Sequence, residues 1–114
     1  AVTTDHSLVQ QLVTEGHMTL EDSLDHPKRN VLVRALGLNF PATPDIALHP
    51  LHPHDILLLC TDGLMKMMSD EAILSVILDS KDSPEKACQR LIARANEAGG
   101  KDNTTVLLIT PRTP

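Results

Sequence analysis

Two uninterrupted apolar runs in the second half of the chain predict two β-strands. The first strand covers residues 55–61 and the second covers residues 104–110. A short apolar run without polar alternation is typical of a strand buried on both faces. We therefore expect the first strand, with its apolar residues 56–60, to be fully buried.

Two helices are predicted between these strands. The first begins after the cap residue Ser69 and continues to about Leu78. The second is capped by Ser83, begins at Pro84 with a stripe of apolar residues on one face, and ends at Gly99. Because two successive helices carry the chain out and back, the flanking strands can be antiparallel neighbours. The pattern predicts an α+β fold with helices packed on an antiparallel sheet.

The first half of the chain predicts less regular structure. Apolar residues at helical spacing indicate a helix over residues 7–15, with Asp5 or Ser7 as its cap. Residues 31–36 fit a strand or a helical turn. Residues 45–48 are a short strand candidate between prolines.

Composition and charge narrow the class of protein. The net charge of -5 is carried by scattered residues, which argues against nucleic acid and anionic membranes as partners. The apolar runs are far shorter than the roughly 20 residues that span a bilayer. Cys60 and Cys88 fall on a predicted strand and a predicted helix without metal-binding spacing, so we expect two buried thiols in a reducing cytoplasm.

Two aspartates lie where the predicted strands begin and end. Asp62 follows the first strand and Asp102 precedes the second. If the strands are antiparallel, both carboxylates lie at one edge of the sheet, where they can hold a divalent cation. Asp62–Gly63 and Asp102–Asn103 are also ordinary turn pairs, in which the aspartate only accepts local hydrogen bonds. Both interpretations stay open on the residues alone.

Three stretches resemble the type 2C family of metal-dependent Ser/Thr protein phosphatases, in its compact bacterial form. They are residues 4–9 (TDHSLV) with 26–37 (HPKRNVLVRALG), residues 55–64 (DILLLCTDGL) and residues 99–106 (GGKDNTTV). They occur in the family's order and spacing across nearly the whole chain.

The resemblance implies a fold, a site and a reaction. The fold is a two-sheet antiparallel β-sandwich flanked by helices, and this chain is its carboxy-terminal part. Residues 1–36 are expected to form a flap-like region, and residues 45–110 a strand-helix-helix-strand unit that carries the metal edge. The site is a binuclear Mg²⁺ or Mn²⁺ centre with Asp62 and Asp102 as ligands. Gly63 and Asn103 are expected to shape the turns that present these ligands. The reaction is hydrolysis of phosphoserine and phosphothreonine in proteins.

Departures from the family pattern qualify these expectations. The family's D-G-x-G-G element, its further acidic ligand and its phosphate-binding arginine have no counterpart in the sequence, so we expect the chain alone to be inactive and to bind Mn²⁺ weakly. Lys66 stands where the family often has an acidic residue, and its positive charge argues against a third metal. A catalytically dead binding or regulatory module is the alternative, and an α+β domain without any site is a weaker one.

The expected partners are a phosphorylated protein and a Ser/Thr kinase counterpart, in the cytoplasm, with dimerisation through exposed sheet edges as a further possibility. His49, His52 and His54 are interleaved with prolines and predict a surface loop rather than a metal site. Arg29 and Arg34 predict a salt bridge or a backbone contact rather than phosphate binding.

Overall fold

The computed structural model describes residues 1–37 and 43–111 of the chain. Two compact units are distinguished, Ala1–His49 and Pro50–Pro114. Within the described residues, the first contains two short helices, and the second contains three helices and the sheet. Across the described residues, the helices are all too short or too polar to cross a membrane.

The first unit begins with the predicted helix. Helix α1 spans Leu8–Thr14, and the Ser7 hydroxyl caps it by accepting a hydrogen bond from the Gln10 backbone N–H at 3.2 Å. Gly16 follows the helix with φ of +75°, a left-handed conformation that glycine adopts without strain. A second helix, α2 (Leu20–Leu24), was not predicted.

Two weaker predictions for this unit are wrong. Residues 31–36 form neither a strand nor a helix, and Leu32 contributes one isolated bridge to Ser7. Residues 45–48 are not a strand either, and Ile46 and Leu48 are almost fully exposed. Among residues 1–37 and 43–111, neither stretch has a neighbouring strand with which to form a ladder. An apolar residue that no other layer covers stays in solvent.

Asp45 instead anchors its segment through its side chain. Its carboxylate lies 2.6 Å from His6 Nε2 and accepts a hydrogen bond from Arg34 at 2.9 Å. The Arg34 guanidinium also donates to the Thr43 carbonyl oxygen at 3.3 Å, so both contacts predicted for this arginine are confirmed. The hydrogen bond with His6, and then that from Arg34, lower the pKa of Asp45 below the ordinary value of 3.8.

Acidification should therefore release the segment around Asp45. A carboxyl whose pKa is lowered by folding stabilises the fold above its ordinary pKa, and that contribution is lost as the pH falls through the lowered pKa. We expect the amide chemical shifts of residues 45–49 to move towards random-coil values in this acidic range. Asp45→Asn should move them already at neutral pH, whereas Asp25→Asn, at a fully exposed carboxylate, should not. Equal shifts in both variants would contradict this account.

The second unit contains the predicted antiparallel pair. Strand β1 (Leu57–Cys60) pairs with strand β2 (Val106–Ile109), and the register places Cys60 opposite Val106. The end of β1 and the start of β2 consequently lie at the same edge of the sheet.

Three helices connect the two strands. They are α3 (Asp62–Met65), α4 (Asp70–Leu78) and α5 (Pro84–Glu97). The predicted caps are confirmed, because the Ser69 and Ser83 hydroxyls accept backbone hydrogen bonds at the starts of α4 and α5. Helix α3 was not predicted, since one helical turn is too short to show a hydrophobic period.

The core lies between the helices and one face of the sheet. Leu64 of α3 and Leu91 of α5 are fully buried at its centre. The other members of this cluster are Ile73, Val76, Ile77 and Ala95. The predicted α+β class is confirmed, and the described residues show one two-stranded sheet of the expected two-sheet sandwich.

The prediction of a fully buried first strand is wrong. Ile56 and Leu58 face the core, but Leu59 is 47% exposed and its pair partner Leu107 is 53% exposed. The reason is that the helices of the described part of the chain cover one face of the sheet. The two thiols are also less buried than expected. Cys60 is exposed at the end of β1, and Cys88 is half-buried because it lies beside the buried stripe of α5.

Candidate metal centre

Asp62 lies at the end of β1, where the chain turns into α3. It is the first residue of that helix, and its carboxylate is 71% exposed. Asp62 therefore begins a single helical turn, which differs from the plain Asp–Gly turn of the alternative interpretation. A carboxylate in the first turn of a helix is favoured because the backbone N–H groups there are unpaired.

Asp102 lies in the loop that connects α5 to β2. Gly99 and Gly100 end the helix with φ of +126° and +53°, so the chain reverses before it reaches Asp102. The Asp102 carboxylate accepts a hydrogen bond from the backbone N–H of Asn103 at 2.8 Å. This local bond fixes the side chain at the edge of the sheet.

The two carboxylates meet at the ammonium group of Lys66. Lys66 Nζ lies 2.8 Å from Asp62 Oδ2 and 2.8 Å from Asp102 Oδ2. These two oxygens are therefore separated by no more than twice that distance. The structure brings together two acidic side chains that are forty positions apart, and it places a positive charge between them.

These contacts shift the ionisation of the lysine and of one aspartate. Hydrogen bonds to Asp102 and then to Asp62 raise the pKa of Lys66 above its ordinary value. The hydrogen bond from Lys66, followed by that from the Asn103 N–H, lowers the pKa of Asp102. Both shifts favour the charged forms, so Lys66 and Asp102 form an ion pair throughout the neutral pH range.

Thr61 joins the two segments that carry the aspartates, and the sequence analysis assigned it no role. Its hydroxyl donates to the Asn103 carbonyl oxygen at 3.1 Å and accepts from the Thr105 N–H at 3.0 Å. Its backbone N–H donates to the Thr105 carbonyl oxygen at 3.1 Å. These three bonds continue the sheet pairing beyond β1 and hold Asp62 beside the Asp102 loop. In the sequence, the one indication of this role is that Thr61 directly precedes Asp62.

Gly63 allows α3 to approach this loop. It is buried, and a Cβ atom at this position would overlap the Asn103 carbonyl oxygen and lie 2.9 Å from the carbonyl carbon. The expected supporting role of Gly63 is thus one of close packing within a helix rather than of turn shape. Asn103 supports the site through its backbone, which contacts both Thr61 and Asp102.

The donor set fits part of a divalent cation site. Carboxylate oxygens are the ligands that Mg²⁺ and Mn²⁺ prefer, and the Lys66 ammonium shows that positive charge is accommodated between these two. Hard cations take about six oxygen ligands, however. Among residues 1–37 and 43–111, His, Cys, Asp and Glu side chains nowhere form a group of three or more that could hold a metal. Metal binding by Asp62 and Asp102 stays a prediction.

Local contacts account for His52 and Arg29 among the other candidate residues. His49, His52 and His54 lie in an exposed segment, as predicted, and the His52 backbone N–H donates to Asp55 at 2.8 Å. Arg29 donates to the backbone carbonyl of Leu24, which confirms the predicted backbone contact.

Comparisons with known proteins agree with the fold and the motifs. The family model described as stage II sporulation protein E (SpoIIE) matches residues 15–112. The serine/threonine phosphatase stp of Listeria innocua is 43% identical over 108 residues, which are 95% of this chain and 42% of that protein. The S. agalactiae serine/threonine phosphatase structure gives a TM-score of 0.89 at 38% identity and covers 96% of this chain and 45% of that one.

A further solved structure bears on the metal. It is the catalytic domain of the serine/threonine phosphatase PstP in complex with two manganese ions. Its TM-score is 0.72 at 35% identity, and the match covers 94% of this chain and 43% of that chain.

The helix-covered antiparallel sheet matches part of the fold of a Ser/Thr phosphatase. Since the family model matches most of its length, the chain belongs to the SpoIIE and type 2C phosphatase family. The resemblance found in the sequence motifs is thereby confirmed. The chain spans less than half the length of the relatives that it matches.

Proposed function

We propose that this chain forms the carboxy-terminal part of a metal-dependent phosphatase that hydrolyses phosphoserine and phosphothreonine in proteins. The observation that carries the proposal is the convergence of Asp62 and Asp102 on one cationic nitrogen, each at 2.8 Å. Relatives that match this chain over about 95% of its length are named Ser/Thr phosphatases, which supports this substrate class.

Asp62 and Asp102 are the residues that would hold Mn²⁺ or Mg²⁺, in a centre of two ions by analogy with the PstP complex. When bound, such ions supply a polarised water and neutralise negative charge on the phosphoryl oxygens. The chain's own contribution is to position the carboxylates. The Thr61 hydroxyl donates to the Asn103 carbonyl oxygen and the Asn103 N–H donates to the Asp102 carboxylate, and Gly63 lets the two segments approach.

The uncovered face of the sheet supports packing against a second β-layer. Leu57 lies opposite Ile109 and Leu59 lies opposite Leu107, so the four side chains form one apolar patch. All but Leu57 are more than one-third exposed. A patch of this kind usually marks an interaction surface. The occupant we infer is the remaining sheet of the phosphatase domain, because the relatives are more than twice as long as this chain.

The remaining features of the proposal follow from membership of the family. We propose that residues 1–36 act as a flap-like region and that residues 45–110 form the unit that carries the metal ligands. The partners are a phosphorylated substrate protein and a Ser/Thr kinase counterpart, and the location is the bacterial cytoplasm. Dimerisation through the exposed edges of β1 and β2 is the assembly that we propose for the chain alone.

The experiment that tests this function is phosphate release from a phosphothreonine peptide. A polypeptide that joins this chain to the remainder of a type 2C domain should release phosphate only when Mn²⁺ or Mg²⁺ is present. The 114-residue chain alone should release none. Metal-independent hydrolysis by the longer polypeptide would contradict the proposal.

One observation favours a second function, that of a phosphatase-like binding or regulatory module without activity. The Lys66 ammonium engages both carboxylates and offsets one of their two negative charges without any metal. In that case the longer polypeptide would bind a phosphopeptide but would not hydrolyse it at any Mn²⁺ concentration.

A further inference from the structure

Lys66 occupies the position between Asp62 and Asp102 where a shared cation would lie. It follows Asp62 by four residues at the end of α3, so its side chain reaches back over the same helical turn. The Lys66 side chain is only 27% exposed, whereas the Asp62 and Asp102 side chains are 71% and 43% exposed. The lysine is thus the more enclosed member of a three-residue cluster.

An ammonium and a divalent cation compete for such a position. Both bind carboxylate oxygens, and the ammonium donates a hydrogen bond to Asp102 at 2.8 Å. A divalent cation bound to the same oxygens would lie beside the ammonium, where like charges repel each other. The lysine side chain is flexible and carries a single compact charge, so it can swing away.

We propose that Lys66 competes with the metal for Asp62 and Asp102. Its ammonium group must leave both carboxylates before a divalent cation binds between them. Lys66 thereby sets the metal concentration at which the centre fills. This inference rests on the proposed function, since it takes the two aspartates as metal ligands. It assigns to the lysine a role in metal affinity rather than in the chemical step.

The same contacts give Lys66 a second effect. Without metal, two carboxylates close together repel each other, and the ammonium offsets that repulsion. Removing the ammonium should therefore make the metal-free chain less stable and increase the stabilisation that metal gives. These two changes have opposite signs and can be measured separately from any enzymatic activity.

The test is Mn²⁺ titration of the 114-residue chain by calorimetry, together with its melting temperature with and without Mn²⁺. Lys66→Gln and Lys66→Met should each bind Mn²⁺ about tenfold more tightly than the unsubstituted chain. Both should also show a larger rise in melting temperature on addition of Mn²⁺. Lys101→Gln is the matched control, because it removes the same charge next to Asp102 at an exposed side chain. It should change the affinity less than about twofold.

An Asp102→Asn change in each background separates this inference from the proposed function. If Asp102→Asn weakens Mn²⁺ binding but the Lys66 variants bind Mn²⁺ as tightly as the unsubstituted chain does, Asp102 remains a metal ligand and the competitor role of Lys66 is overturned. An equal gain in Mn²⁺ affinity in Lys101→Gln would also overturn that role, because any loss of a nearby positive charge would then have the same effect. If Asp102→Asn changes nothing in any background, both proposals fail.

Discussion

Asp102→Ala should abolish Mn²⁺-dependent phosphate release by the longer phosphatase polypeptide. The loss should exceed the roughly 10–100-fold that follows mutation of a residue which only supports a metal ligand. The reason is that Asp102 offers its oxygens directly at the edge of the sheet, 2.8 Å from the cationic group that lies there. The measurement is hydrolysis of a phosphothreonine peptide at saturating Mn²⁺.

The fold should be largely unaffected by Asp102→Ala. The Asp102 side chain is 43% exposed, and exposed ion pairs contribute little to stability. Asp79→Ala is the matched control. It removes an exposed carboxylate that also pairs with a cationic side chain, in this case Arg90 at 3.8 Å. This control should keep full activity. Equal activity in the two variants would show that Asp102 is not a ligand.

Gly63→Ala should destabilise the second unit, although glycine-to-alanine changes within helices usually stabilise by about 0.5–1 kcal/mol. A Cβ at Gly63 would overlap the Asn103 carbonyl oxygen and lie 3.0 Å from Thr104 Oγ1. Overpacking of a filled site costs about 1–3 kcal/mol. Chemical denaturation should therefore give a lower free energy of unfolding. The displaced loop should also weaken the response of the melting temperature to Mn²⁺.

A double variant distinguishes the physical cause of that loss. Because the overlap involves the Asn103 backbone, Gly63→Ala combined with Asn103→Gly should not recover stability. Recovery would indicate that the side chain of Asn103 is the obstacle. A neutral or stabilising Gly63→Ala would contradict the close approach of α3 to the loop.

Local sequence signals predicted most of the second unit. The apolar runs predicted β1 and β2, and the serine caps predicted the starts of α4 and α5. Each of these features depends on residues that are close in sequence. The antiparallel pairing followed from a simple argument, namely that two helices return the chain to its starting side.

Exposure could not be predicted from the same signals. An apolar run such as that of β1 has the same sequence whether one or both of its faces are covered, and the helices cover one face. The strand candidate at residues 45–48 failed for a related reason. Strand formation requires a neighbouring strand, and the composition of a segment does not show whether one is available.

The candidate site was predicted in part. The positions of Asp62 and Asp102 at the strand ends were sufficient to bring them to one edge. From the sequence, Lys66 was expected only to disfavour a third metal, whereas it contacts both carboxylates of the candidate site. That contact depends on the unpredicted helix α3, which turns Lys66 back towards Asp62. The role of Thr61 likewise depends on contacts across more than forty residues.

The central claim is that Asp62 and Asp102 share one divalent cation, and paramagnetic broadening by Mn²⁺ tests it most directly. Resonances of residues 61–63 and 102–103 should broaden together as Mn²⁺ is added to the labelled chain. The same broadening should require a higher Mn²⁺ concentration in Asp62→Asn and in Asp102→Asn alike, because each substitution removes one ligand of the shared ion. Broadening that either substitution leaves unchanged, or no broadening at all, would contradict the claim.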